Sequence, residues 1–135
     1  MIDRNFFHEL AFKTQVADKT NNKVSYAHGR LLYSCIRKYC KDHSIKQINI
    51  LETGTARGFS SVCMAKALED HEISGKIVTL DILPVNKKIF WNSEGDEEGK
   101  RSRAELLNNY KNLLEKFVIF LQFDTIIDYS KIFIN

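Results

Sequence analysis

The sequence predicts an α/β fold, a parallel sheet of about three strands flanked by helices. Three observations carry this. Short apolar runs at residues 47–53, 76–82 and 117–123 alternate with longer stretches of helical apolar spacing. Strand–helix–strand alternation requires right-handed crossovers and hence parallel strands. The runs are nearly continuous in apolar residues, as in strands covered on both faces. Each ends near an acid: Glu52, Asp81 and Asp124.

The elements follow in order. Residues 2–17 carry Phe6, Phe7, Leu10, Ala11 and Val16 at helical spacing, a first helix. The polar run 18–23, DKTNNK, is a loop. Residues 24–41 put Leu31, Leu32, Cys35, Ile36, Tyr39 and Cys40 on one stripe, a second helix. Residues 1–46 thus read as helical cover, and 47–135 as the sheet-bearing part. After the first strand, 47–53, comes a turn with Gly54 and Gly58. A helix at 59–71 turns Val62, Ala65 and Leu68 toward the sheet, and Gly75 marks the reversal. The second strand is KIVTLDI, 76–82, and Pro84 prevents its continuation.

Residues 85–99 are an irregular loop in which Trp91 is expected to pack on the domain. Its acids Glu94, Asp96, Glu97 and Glu98 lack calcium-loop spacing and read as solvated. A third main helix, 100–116, has the stripe Leu106, Leu107, Tyr110, Leu113 and Leu114. Its start would leave Lys100, Arg101 and Arg103 in water. The third strand is 117–123, and 126–135 reads as the start of another helix.

Composition excludes several function classes. At 135 residues the chain is one domain, and with 44% hydrophobic residues it can bury a core. A net charge of +3, with Lys and Arg scattered, gives no basis for nucleic-acid or membrane binding. No apolar run is long enough to cross a bilayer, and no signal-peptide pattern is visible. Cys35, Cys40 and Cys63 form no CxxC pair and read as reduced, buried thiols of a cytoplasmic protein. His8, His28, His43 and His71 are far apart in sequence, so no metal site is expected.

The candidate site is the stretch INILETGTARGFSSVCM, 48–64. Open α/β sheets bind nucleotide-like ligands where such a glycine turn leaves the carboxyl end of a strand. Gly54 lets a ligand approach the main chain. The following helix offers free N–H groups and a positive dipole end to an anion. Asp81, closing the second strand, can accept both hydroxyls of a ribose. Glu52 suits an ammonium and disfavours a phosphate. The turn GTARG also lacks the second glycine of a dinucleotide fingerprint. S-adenosylmethionine fits better. Its ammonium would meet Glu52, its carboxylate Ser60 and the helix N–H groups, its ribose Asp81, and its adenine the apolar residue that follows.

Here the residues resemble a family. ILETGTARGFSSVCMAKAL followed by IVTLDI is similar to class I S-adenosylmethionine-dependent methyltransferases, with a Rossmann-like fold, and most to their small O-methyltransferase-like members. The first motif of those members, E-x-G-x-x-x-G-[FY]-S, falls on Glu52, Gly54, Gly58, Phe59 and Ser60. The ribose-binding acid falls on Asp81, with Ile82 against the adenine. The third motif, often G-D-[ST], falls on Phe123, Asp124 and Thr125, with phenylalanine in place of glycine. The resemblance implies methyl transfer to a small-molecule acceptor. The implied cofactor-binding set is Glu52, Thr53, Gly54, Thr55, Gly58, Ser60, Asp81, Ile82 and Asp124, and no catalytic residue is assigned.

The seven-stranded sheet of that family is only partly present. Three strands precede Asn135, and a fourth would normally pair with the first. The expectation is therefore a partial cofactor-binding domain, as a fragment or with the sheet completed by another chain. An open, apolar edge on the first strand points to a homo-oligomer. Two other functions remain beside the methyltransferase: a non-catalytic interaction module using that edge, and a nicotinamide-dependent oxidoreductase domain.

Overall fold

The computed structural model describes residues 3–15, 24–93 and 95–123. Three strands, β1 (Ile50–Thr53), β2 (Ile77–Asp81) and β3 (Val118–Gln122), form one parallel sheet in the order β1-β2-β3. Helices α1 (Arg4–Gln15) and α2 (Tyr26–Asp42) precede the sheet. Helix α3 (Phe59–Asp70) joins β1 to β2, while α4 (Arg103–Leu106) and α5 (Lys111–Phe117) lie between β2 and β3. The α/β, Rossmann-like class read from the sequence is the class observed.

Register divides the sheet into two faces, because side chains alternate along a strand. Ile50 pairs with Ile77 and Ile77 with Val118, so these three share a face with Glu52, Thr79, Asp81 and Phe120. Helices α3 and α5 cover that face, burying Ile77 and Thr79 completely. The opposite face carries Leu51, Val78, Leu80, Ile119 and Leu121. Leu51 is 68% exposed and Leu121 45% exposed there. Continuous apolar strands predict cover on both faces; among the described residues only one face is covered. The outer edge of β1 likewise has no partner strand among them.

The first strand is shorter than its apolar run. The Asn49 side chain accepts the Lys76 N–H at 3.0 Å, so the regular ladder starts at Ile50. Before it stands a single bridge, Gln47 to Ser74.

Both N-terminal helices pack on α3 rather than on the sheet. Phe7, Leu10 and Ala11 of α1 are buried as their spacing predicts, whereas Val16 lies outside the described residues. The stripe of α2 needs correction. Its buried residues are Gly29, Tyr33 and Cys40, flanked by the half-buried Leu32 and Ile36. Leu31 and Tyr39 are largely exposed, and so is Cys35, expected to be buried. Gly29 is the reason: a Cβ there would lie 2.8 Å from Cys63 Sγ and 2.9 Å from the Phe7 ring. That close approach of α2 to α1 and α3 fixes which side turns inward.

The single helix expected over 100–116 is three pieces. Ser102 opens α4 with a capping box: its hydroxyl accepts Glu105 N–H, and the Glu105 carboxylate accepts Ser102 N–H. The chain then turns through a 3-10 segment, Asn108–Tyr110, before α5. Paired asparagines compete with helical hydrogen bonding through their own side chains. The apolar stripe survives the break, with Leu106 and Leu107 fully buried.

Two predictions follow from this geometry. Gly75 has φ +140°, and a Cβ on it would lie 1.7 Å from the Ile48 carbonyl oxygen. Gly75→Ala should destabilise the fold by about 3 kcal/mol or more, measured as a lowered urea midpoint. The Glu105 carboxyl is pulled down to about 2, by the Lys88 ammonium first and the Ser102 N–H second. Its folded value lies below its unfolded one. Its stabilisation is therefore present above the ordinary carboxylate range and lost as pH falls from 4.5 to about 2. Glu105→Gln keeps a capping acceptor and should flatten stability against pH in that window alone.

Candidate functional site

The site is built at the carboxyl ends of β1 and β2. After Thr53 the chain leaves the sheet through Gly54, at φ +83°, while the Gly54 N–H still donates to Leu80 O. A Cβ at Gly54 would meet nothing within 4 Å, so open space faces the main chain there. Gly58, at φ +87°, caps α3. It also has a packing reason to be glycine, since a Cβ would lie 2.6 Å from Leu107 Cδ1. Between them Ala56 takes the left-handed conformation at φ +46°, unusual for a residue with a side chain. Ala56 holds the position of the missing second glycine, and its backbone adopts glycine-like angles regardless.

Asp81 holds this turn in place. Its Oδ2 accepts the Ala56 N–H, and its Oδ1 accepts the Leu83 N–H at 2.8 Å. Asp81 as a whole is 8% exposed. Each of its oxygens retains a second acceptor position. Thr55, expected to bind a cofactor, buries its hydroxyl against Thr79, oxygen to oxygen 2.6 Å.

Glu52 lies on the same helix-covered face as Asp81. It accepts a hydrogen bond from the Ser61 hydroxyl of α3, so part of its acceptor capacity is spent inside the fold. Its charge, after the larger effect of burial, pushes the Cys63 thiol up out of the reactive range. Ser60 is half-buried at the first turn of α3. Thr53 is exposed and belongs to the uncovered face, with Leu51. Ile82 is 64% exposed beyond Asp81. Asp124 and Thr125 lie outside the described residues.

A hollow of about 400 Å³ opens over the turn. Gly54, Thr55 and Ser60 line its floor, and Leu83, Phe90 and Trp91 its wall. Glu52 and Asp81 do not line it; Asp81 reaches it through the two residues it holds, Ala56 and Leu83. The chain matches no family model and no curated protein.

Two arginines, Arg57 and Arg103, organise the surroundings. Arg57, inside the turn motif, donates to Thr14 O at 2.9 Å, to Trp91 O and to Asn92 O. It thereby ties α1 and the 85–101 loop to the glycine turn. Burial lowers its pKa from the ordinary arginine range. Arg103 was expected in water but is 1% exposed, because the capping box starts the helix at that residue and turns it inward. Its Nε donates to Ala56 O at 2.9 Å. The pattern S-x-x-E at Ser102–Glu105 was the sequence signal for this.

The loop is more ordered than its composition suggests. Trp91 packs at 5% exposure, as expected, and its Nε1 donates to Arg101 O at 2.9 Å. Asp96 is not solvated as expected. It accepts from the Trp91 and Ser93 N–H groups and from Arg101, and these donors outweigh burial to hold its carboxyl below the usual range. Glu97 and Glu98 are exposed, and Glu94 lies outside the described residues. Among the described residues, no three His, Cys, Asp or Glu side chains converge on a metal-sized site. No described helix is long and apolar enough to cross a membrane.

Replacing Arg57 leaves three carbonyl groups without their donor. Arg57→Met should destabilise the chain by about 2–3 kcal/mol. Amide hydrogen exchange should accelerate in the 85–101 loop before it does in β2.

Proposed function

We propose that the chain is the cofactor-binding part of a class I S-adenosylmethionine-dependent methyltransferase. The observation that carries this reading is the docking of the 54–58 turn onto the β2 acid, beside an open hollow at the carboxyl edge of a parallel sheet. Groups around the turn support this reading. Gly54 leaves room for close approach of a ligand to the main chain. The first turn of α3 supplies N–H donors that have no acceptor within the helix, suited to a carboxylate. Glu52 supplies negative charge for an ammonium. The two remaining acceptor positions of Asp81 suit a vicinal diol. Ile82, exposed beside it, offers an apolar surface to a purine.

When bound, S-adenosylmethionine supplies an electrophilic methyl group on a sulfonium centre. The chain's own contribution is alignment: the turn that lines the hollow, held in place by Asp81, orients the ligand so that an acceptor approaches along one line. Phe90 and Trp91 wall the hollow. The acceptor is proposed to be a small molecule, and no described residue is assigned to proton transfer.

Titration calorimetry with S-adenosylhomocysteine tests the reading, which predicts a measurable one-site isotherm. Asp81→Ala, with folding checked by circular dichroism, should cost about 1–3 kcal/mol of binding, roughly 5- to 150-fold in Kd. A folded wild-type chain that gives no heat with millimolar ligand would end the proposal.

One observation favours a second reading, an interaction module. The uncovered sheet face adjoins the open edge of β1, where Leu51 is largely exposed. A second copy pairing along that edge would appear in light scattering as a concentration-dependent dimer, without cofactor binding.

A further inference from the structure

We infer that Arg103 is a positioning residue for the nucleoside end of the ligand, acting through Ala56 and Asp81. This rests on the cofactor reading above and adds to it a residue from outside the family motifs. The guanidinium stands over two aromatic rings, its Cζ 5.5 Å from the Trp91 centroid and 5.4 Å from that of Phe120. Nε holds the Ala56 carbonyl at 2.9 Å. Nη2 stands 3.9 Å from Asp81 Oδ2 and has no hydrogen-bond partner among the described residues.

These contacts close a ring. Asp81 accepts the Ala56 N–H, Arg103 donates to the Ala56 carbonyl, and Arg103 faces Asp81. Both polar groups of a residue in a left-handed conformation are therefore fixed at once. With the Ala56 N–H fixed, the Asp81 carboxylate is held in place, and its remaining acceptor positions are those a ribose diol would take. A packing role alone does not account for a charge here. A buried guanidinium loses its hydration, and a methionine would fill the space beside the two rings at lower cost. Burial lowers the Arg103 pKa, while Asp81 and Glu52 act to raise it. Its contacts with Trp91 and Phe120 also tie the 85–101 loop and β3 to the acid that closes β2.

Two measurements on the full chain test the inference separately from the cofactor reading. The first uses no ligand: amide exchange at Ala56, followed by NMR in the wild type and in Arg103→Lys. The ring predicts exchange about tenfold faster at Ala56, with strand amides such as Val78 unchanged. Unchanged exchange at Ala56 would overturn the inference whatever the chain binds. The second is calorimetry with S-adenosylhomocysteine on the wild type, Arg103→Lys, Asp81→Asn and the double variant. Arg103→Lys should lose about tenfold in affinity, but less than about threefold once Asp81 is already asparagine, because the group it acts through is gone. Equal losses in both backgrounds would show that Arg103 does not work through Asp81, and would overturn the positioning role. If Arg103→Lys fails to fold, Arg103→Gln, which retains a donor for the Ala56 carbonyl, takes its place. A wild-type chain that binds nothing refutes the cofactor reading and the nucleoside role with it. The exchange measurement then still decides whether Arg103 holds the turn.

Discussion

Everything at the carboxyl edge of this sheet depends on where one carboxylate puts its lone pairs. Asp81 ends β2 and takes the N–H of Ala56 from the preceding crossover and that of Leu83 from its own loop. Without those bonds the 54–58 turn would be held to the sheet by the Gly54 and Thr55 amides on Leu80 O and by the Thr55 hydroxyl on Thr79, leaving the Ala56 N–H unbound. Ala56 would also have little reason to remain in a left-handed conformation. A carboxylate at that position is thus structural before it is anything else. The same two bonds leave each of its oxygens one further acceptor position, the capacity a binding role would draw on.

The arginines extend this constraint outward. Arg57 gathers carbonyls from α1 and from the 91–92 region, and Arg103 joins the turn to Trp91 and Phe120. A multi-donor planar group is suited to collecting carbonyl oxygens from separate segments, which a lysine ammonium does less well. The irregular 85–101 loop gains its order here, aided by Asp96 and the Ile89–Arg101 bridge. The crossovers position α3 and α5, but charged side chains position the loop that walls the hollow.

The cover of the sheet is uneven, and this bears on function. Helices α3 and α5 bury the face that carries Ile77, Thr79 and Asp81. The face with Leu51, Ile119 and Leu121 is largely open among the described residues. Glu52 and Asp81 both belong to the covered face, so their approach to a ligand runs through the turn and the helix start, not across the sheet.

Much of the fold was legible in the sequence because hydrophobic period is a local property. Three apolar runs and the spacing between them determined three parallel strands and their crossovers, and the paired glycines determined where the chain leaves β1. Periodicity alone did not orient α2. Its inward side was chosen by Gly29, which reads as a weak helix former and acts as the contact point with Phe7 and Cys63. Nor did spacing reveal that Arg103 is buried, that Asp96 is a loop acceptor, or that Thr55 spends its hydroxyl on Thr79. Those outcomes depend on which groups from distant segments meet, and on the cost of leaving a polar atom unpaired away from water. The chain's order of residues decided the elements and the place of the candidate site. Tertiary contact decided which polar groups remain free there, because a donor or acceptor is available to a ligand only after the fold has taken its share.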